Sequence, residues 1–291
     1  MQSTGLQLSF QDAPPRPDDY IRRNWNGFSV ECVRLRSPRS LEYTWQGDAH
    51  YLALHDIVLA DGEIAIETDV SANCTDLRDR LTFVPRQTRV SGWSELAGHD
   101  HGYTAVYFAA DLAETEVERP LLGAASRPLL YFEDAQLTQT IRRVARLVSA
   151  PEDHDPLAAE SFGLLAVLQL YPLLGSSIEP AKGQLSPAQQ RRITDFVQSH
   201  LDRSITLSDL AAICEHSRFH FARSFSRTYG LPPHQYVLRR RIGLAATLLA
   251  TSDMPVSEIG ARVGFSSPAR LSTAFRRLIG RSPQAFRQAT R

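Results

Sequence analysis

Two arginines stand in matching places in two stretches of the chain that read alike. Leu207-Ser-Asp-Leu-Ala-Ala-Ile-Cys-Glu-His-Ser-Arg-Phe-His-Phe-Ala-Arg-Ser-Phe225 and Val256-Ser-Glu-Ile-Gly-Ala-Arg-Val-Gly-Phe-Ser-Ser-Pro-Ala-Arg-Leu-Ser-Thr-Ala-Phe275 each spell a short helix, a tight turn and a second helix. A small residue, Ala211 or Gly260, sits inside each first helix, where a crossing helix must come close. Ile213 with Phe221 and Phe225, and Val263 with Leu271 and Phe275, are the expected small cores. Ser217 and Ser267 open the second helices. Facing outward from them are Arg218, Phe219, Ala222 and Arg223, then Ala269, Arg270, Thr273 and Arg277. Arg223 and Arg270 could each form a bidentate pair with O6 and N7 of a guanine. Arginine also binds phosphate, which positions without specifying.

The elements that hold these residues are marked by punctuation. Ser186-Pro187 is an N-cap followed by proline at the first helical position. Thr206 and Ser217 cap the first pair of helices, and Gly230 stops the second of them. Pro232 opens a long helix to about Ala250, and Pro255 a short one to Val263. Ser267-Pro268 starts a helix that Gly280 stops, and Ser282-Pro283 starts the last. The long helix spans roughly 28 Å at 1.5 Å per residue. Successive major-groove faces lie roughly 34 Å apart, so one rigid helix could hold both second helices against the same side of a duplex.

The first part of the chain has a different texture. Residues 1–27, with Pro14, Pro15 and Pro17, read as an extended, partly disordered lead-in. Alternation of apolar and polar residues marks strands at 28–36, 41–45 and 51–59. Asp61-Gly62 reads as a hairpin turn into a strand at 63–67. Strands at 81–84 and 103–108 follow. Many short strands predict a small barrel or sandwich. Leu137, Ile141, Val144 and Val148 form one stripe on a helix over 134–149. A second helix, 156–174, is apolar nearly all round. These two helices either close the strand domain or pair two copies of the chain through Leu164, Leu165, Leu168 and Tyr171. Residues 176–184 read as a linker. The domains are therefore a lead-in at 1–27, a sensor or pairing domain at 28–175, the linker, and a helical domain at 185–291.

The chain is formally neutral, and that balance hides an asymmetry. Up to Gly183 there are 16 basic and 26 acidic side chains, a net of −10; beyond it there are 16 and 6, a net of +10. A basic helical part joined to an acidic part suggests a polyanionic partner for the former. The length of 291 residues suits two domains. Three scattered cysteines, Cys32, Cys74 and Cys214, argue against a disulfide framework, and no C-x-x-C pair exists. The longest apolar run, 162–174, is interrupted by Gln169 and Pro172 and falls short of the roughly 20 residues of a membrane span. Met1–Phe10 lacks the pattern of a signal peptide. The expected location is the cytoplasm, with no membrane partner.

Residues 185–290 resemble the DNA-binding domain of the AraC/XylS family of bacterial transcription regulators. The resemblance rests on Leu210-Ala211, Ser217, Phe225, Gly230, Tyr236, Arg241-Ile242, Ala245 and Leu248-Leu249. It continues through Ile259, Val263-Gly264-Phe265, Phe275-Arg276-Arg277 and the run Gly280-Arg-Ser-Pro-Gln-Ala-Phe-Arg287. Gly260 stands where the family usually has Ala, Arg270-Leu271 replaces a common Tyr-Phe pair, and Gly243 lies inside the long helix. The strand domain resembles the family's cupin-like sensor barrel through Leu81-Thr-Phe-Val-Pro85, Trp93 and Tyr103-Thr-Ala-Val-Tyr-Phe108. The resemblance implies an α+β chain: a cupin-like β-barrel with two helices, then an all-α domain with two helix-turn-helix units. It implies double-stranded promoter DNA and RNA polymerase as partners, while a homodimer is the expectation from the two apolar helices.

Two rival readings remain at this stage. One is a cupin-type metalloenzyme with a helical appendage; the other is a constitutive DNA binder whose barrel only pairs two copies. His99-Asp100-His101 has the spacing of a cupin metal pair, but no Glu follows within Gly102–Val106, and His50 and His55 lie five apart. No nucleophile elbow, phosphate-binding loop or dinucleotide fingerprint is present. No metal, no cofactor and no enzymatic activity are expected. Tyr43, Trp45, Tyr51, Trp93, Tyr103 and Tyr107 are the candidate lining of an effector pocket for a small, partly apolar or aromatic molecule.

Overall fold

Strand alternation in the first part of the chain is realised as eleven strands among the described residues, the last ending at Phe132. The computed structural model describes residues 7–10, 19–36, 40–66, 70–72, 74–98, 100–108, 127–149, 155–175 and 183–290. The strands are β1 (Gln7–Phe10), β2 (Asp19–Trp25), β3 (Phe28–Leu35), β4 (Ser40–Gln46), β5 (His50–Asp56), β6 (Leu59–Ile66), β7 (Val70–Ala72), β8 (Leu81–Val84), β9 (Val90–Leu96), β10 (His101–Phe108) and β11 (Leu129–Phe132). The chain divides into two units, Met1–Ser149 with Phe162–Ile178, and Ala150–Ser161 with Glu179–Arg291.

In the first unit the strands form two antiparallel sheets, ordered β1-β4-β9-β6-β7 and β11-β8-β5-β10-β3-β2. The expected closed barrel is corrected to an open pair of sheets. Closure needs each edge strand to find a partner, yet β1, β7, β11 and β2 each end a sheet among the described residues. Trp45, Ile64, Ile66 and Val90 of the first sheet cluster with Val84 and Tyr51 of the second, which fixes the inner faces. The outer face of the second sheet is equally apolar. Val30, Leu52, Phe83, Val106 and Phe108 are fully buried there.

Two sequence expectations fail here for identifiable reasons. Residues 19–25, expected in a partly disordered lead-in, pair with β3 through a turn at Asn26-Gly27, and Trp25 stacks on Phe28 with ring centroids 5.2 Å apart. Burial of those rings outweighs the polar composition of the segment. Asp61-Gly62 is not a hairpin turn but lies inside β6, at a register shift against β9. A Cβ at Gly62 would meet Trp93 O at 3.0 Å, so glycine serves close strand approach, not a turn.

One helix and the later part of a second, from Phe162 onward, complete this unit's described elements. Helix α1 (Ala135–Ser149) starts where Asp134 Oδ1 accepts from Leu137 N at 2.7 Å, and its stripe of Leu137, Ile141, Val144 and Val148 is fully buried. Helix α2 (Pro156–Leu173) is 18 residues long and apolar enough to cross a membrane, but 56% of it is buried inside the protein. A Cβ at Gly163 would approach the Phe28 ring to 2.7 Å, so the helix meets β3 closely there. Leu164 and Tyr171 are buried and only Leu165 and Leu168 stay half-buried, so internal packing covers much of the face expected to pair two copies.

The second unit is helical: α3 (Pro187–Ser199), α4 (Leu207–Ile213), α5 (Arg218–Tyr229), α6 (Pro233–Thr251), α7 (Val256–Arg262), α8 (Pro268–Ile279) and α9 (Pro283–Thr290). Capping boxes at Ser186/Gln189 and Thr206/Asp209 start α3 and α4. Helix α6 carries both halves. Phe225 and Tyr229 of α5 pack on Tyr236, with ring centroids 5.4 and 4.9 Å from it. Ile242, Ala245 and Leu249 pack with Ile259, Val263, Leu271 and Phe275. Arg241, only 9% exposed, donates from Nε to Leu201 O (3.1 Å) and from Nη2 to Arg203 O (2.6 Å).

Gly264, at φ +79°, sits beside that guanidinium. A Cβ there would lie 2.2 Å from Leu201 O and 2.9 Å from Arg241 Nη2. Gly243, by contrast, is exposed within α6 with nothing within 4 Å of an added Cβ. Gly264→Ala should therefore destabilise the chain by about 2–3 kcal/mol, and Gly243→Ala should stabilise it by about 1 kcal/mol. Urea denaturation of the two variants checks both signs.

Candidate nucleic-acid interface

The two helix-turn-helix units are built by one repeated turn. After α4, Glu215 N donates to Ala212 O (3.1 Å) and His216 N to Ala211 O (3.1 Å). After α7, Gly264 N donates to Ala261 O (3.1 Å) and Phe265 N to Gly260 O (2.9 Å). Both turns pass through a left-handed residue, Glu215 at φ 57° and Gly264 at φ 79°. The small residues foreseen in the first helices, Ala211 and Gly260, are buried and supply the carbonyls that close these turns. A Cβ at Gly260 would touch Leu271 at an ordinary 3.7 Å, so alanine would fit there too.

Each second helix begins on its serine. Ser217 Oγ accepts from His220 N (3.2 Å) and Ser267 Oγ from Arg270 N (3.4 Å), so both candidate serines act first as N-caps. Gly280 closes α8 and Gly230 closes α5, both in the left-handed conformation. Phe221, Phe225, Leu271 and Phe275 are fully buried as expected, while Ile213 is half-buried.

The opposite faces carry the candidates. Ala269, Thr273 and Arg277 are exposed, and Arg218, Ala222, Arg223 and Arg270 are half-buried. Phe219 is the exception: it is 5% exposed, not outward. Its ring avoids water, and the Arg223 guanidinium lies over it at 5.4 Å. Burial and the neighbouring Arg227 lower the pKa of Arg223, which still leaves an arginine charged at neutral pH. In the second unit Arg270 Nη1 donates to Ser266 Oγ at 3.0 Å. Ser266 was not singled out from the sequence; its place four residues before Arg270 was the available signal. His216 and His220 were also missed; their rings stack at 4.2 Å beside Ser217.

The aromatic candidates of the first unit divide. Tyr43, Trp45 and Tyr51 cluster on the inner faces, and Tyr51, Tyr103 and Tyr107 gather around Ala53 and Ala105. Trp93 does not join them. It pairs with Glu42 and Glu63, 37% exposed, because β9 turns Val90 and Leu96 inward and Trp93 outward. Residues that sequence reasoning missed complete the inner group: Glu31, Tyr20, His55 and Tyr131. His55 bonds Thr82 Oγ1 through Nε2 (2.9 Å), and burial pushes its pKa down to about 4. His99 of the candidate metal pair lies outside the described residues; His101 is 2% exposed. Among the described residues no group of three or more His, Cys, Asp or Glu side chains could hold a metal ion.

Comparison with known proteins bears on the helical unit. Residues 210–289 match the helix-turn-helix domain family. The probable transcriptional regulator LumQ of Photobacterium leiognathi is 37% identical over 94 residues, 32% of this chain and 38% of LumQ. A putative AraC-like transcription regulator of Streptomyces lividans is 31% identical over 163 residues, 53% of this chain and 54% of that protein. The C-terminal unit is a helix-turn-helix domain similar to those of AraC-like transcription regulators. The HTH-type transcriptional regulator ExsA of Pseudomonas aeruginosa is 27% identical over 246 residues, 79% of this chain and 84% of ExsA. The chain thus spans little more than a third of LumQ and about half of the Streptomyces relative, and matches ExsA over most of both chains.

Two outcomes follow from this geometry. Phe219→Ala should cost about 3 kcal/mol of stability, because it removes a buried ring and the support of Arg223; thermal unfolding measures it against Ala222→Ser, which should be close to neutral. His55 is held below its unfolded value near 6.5, so the native state binds fewer protons between pH 6.5 and about 4. Its contribution is intact above pH 6.5 and is lost as pH falls towards 4. Stability of the wild type should decline more steeply across that window than stability of His55→Gln.

Proposed function

We propose that the chain is a transcription regulator that reads double-stranded promoter DNA with α5 and α8. The observation that carries this reading is the pair of identically built turns mounted on one 19-residue helix, with arginines on the outward faces. That helix spans roughly 28 Å, close to the spacing of successive major-groove faces. Arg223 and Arg270 are the base readers. Arg218, Arg277 and the caps at Ser217 and Ser267 approach phosphates, while Ala222, Ala269 and Thr273 permit close approach to base edges. The names of the relatives, transcriptional regulators all three, support this assignment.

In the same reading the N-terminal unit is a sensor. Tyr43, Trp45, Tyr51, Tyr103 and Tyr107 belong to the space between its sheets, with Trp93 left outside. Pairing of two copies and contact with RNA polymerase are further parts of the proposal; the first rests on the apolar helices and the second on the family resemblance. The half-buried Leu165 and Leu168 on α2 are what that helix still offers a second copy.

The test uses the full chain and a duplex selected from a random pool. Affinity should fall steeply as salt rises, because phosphate contacts release counterions. Arg223→Ala and Arg270→Ala should each cost about 1–3 kcal/mol on the selected site and relax preference at one base position, the two positions about one helical turn apart. Salt-independent binding overturns the DNA reading, and an equal loss on all sequences overturns the role of these arginines as base readers.

A further inference from the structure

The inner face of the second sheet is organised in rungs. Ala53 and Ala105 are cross-strand partners. The rung on one side is Tyr51 with Tyr107, and the rung on the other is His55 with Tyr103. Same-face rungs are about 6.6–7 Å apart, so two methyl groups form a floor between two aromatic walls. Glu31 stands beside Ala105 on the next strand. Glu31 is 8% exposed, and its carboxylate accepts from the hydroxyls of Tyr107 (2.5 Å), Tyr20 (3.2 Å) and Tyr103 (3.4 Å).

The space over these walls is not sealed from solvent. Burial raises the pKa of the Tyr51 hydroxyl and lowers that of His55. Yet Tyr51, His55 and Tyr103 each keep accessible surface and are half-buried. Two buried ring nitrogens, Nδ1 of His55 and Nε2 of His101, have no hydrogen-bond partner among the described residues. Water or a bound molecule can supply such a partner.

We infer that this space binds a small organic ammonium ion, held by the Glu31 carboxylate and the faces of the tyrosine rings. The inference rests on the sensor reading of the N-terminal unit and names the chemical class of its effector. A carboxylate repels an anion, and the ring faces carry negative potential that attracts a cation. The cluster already attracts positive charge: Arg22 lies over the Tyr107 ring at 5.6 Å and donates to Ser29 Oγ at 3.3 Å. A carboxylate offers about four lone-pair sites, and the three phenols use three. An ammonium group finds the fourth together with the phenol oxygens, while its hydrocarbon part covers the alanine methyls.

The test compares three probes of one shape on the full chain: 2-phenylethylammonium, 2-phenylethanol and 3-phenylpropionate. Isothermal titration should show the ammonium binding at least tenfold more tightly than either of the others. Glu31→Gln should remove that preference. Tyr103→Phe, which keeps the ring and deletes one hydroxyl, should weaken the ammonium severalfold and serves as well if Glu31→Gln does not fold. Equal binding of all three probes, preference for the carboxylate, no binding of any, or an unchanged preference in folded Glu31→Gln or Tyr103→Phe overturns the assignment. Duplex binding measured with each probe separates the two proposals. If the alcohol or carboxylate binds best and alters DNA affinity, the sensor reading stands and the ammonium assignment falls. If the ammonium binds through Glu31 and leaves DNA affinity unchanged, the site stands and the sensor reading falls.

Discussion

The buried guanidinium of Arg241 is the constraint on which the helical unit depends. It takes a positive charge out of water at the middle of α6, which is costly unless every donor is met. Leu201 O and Arg203 O meet it from the turn after α3, and the backbone of Gly264 closes over it from the turn after α7. Burial lowers its pKa, and the carboxylates of Asp155 and Asp202 act against that shift. One side chain therefore ties the start of the first helix-turn-helix unit to the turn of the second. A rotation of α6 that broke it would leave two carbonyls and a charge without partners, so the helix has one register. Tyr236 then fixes α5, and Ile242, Ala245 and Leu249 fix α7 and α8, each measured from the same helix.

The two units solve the same turn with unequal residues. The second puts glycine at the left-handed position. The first puts Glu215 there at φ 57°, where a side chain is disfavoured. The hydrogen bonds around the turn are the same in both, so the backbone pattern outweighs the local preference of glutamate. Gly264 has no such latitude. Its place against Leu201 O and Arg241 leaves room for no Cβ at all, which makes the glycine a tertiary requirement as much as a conformational one.

The helical unit was legible because its boundaries are written in local chemistry. Ser217, Ser267, Gly230 and Gly280 cap helices wherever they fall, and all four do so here. The outward face of α5 was less legible, since Phe219 sits among polar neighbours and only packing turns it inward. In the strand unit local signals identify elements but not faces. β3 is buried on both sides, so alternation along Phe28-Ser-Val-Glu-Cys-Val cannot say which side faces the other sheet. Glu31 reads as a solvent-facing residue in such a strand, and the structure turns it inward among tyrosines. Trp93 reads as one aromatic among six, and the register of β9 alone excludes it. Register, a long-range property, also decided Asp61-Gly62. The same dipeptide is a turn or a close approach according to the strand beside it.

The two arginines proposed as base readers are ordered before any duplex arrives, and by different means. Fixing a long side chain costs roughly 2 kcal/mol of rotamer entropy, so a side chain already held binds more tightly than a loose one. Arg223 is held by its face on the Phe219 ring, a contact that uses none of the edge donors a guanine would take. Arg270 is held by an edge, through Nη1 to Ser266 Oγ. A bidentate approach must leave that bond intact or replace it. The first unit thus supports its arginine through the face of a ring, and the second through a hydrogen bond from the guanidinium edge. The difference in support arises from a buried phenylalanine in one unit and a serine in the other.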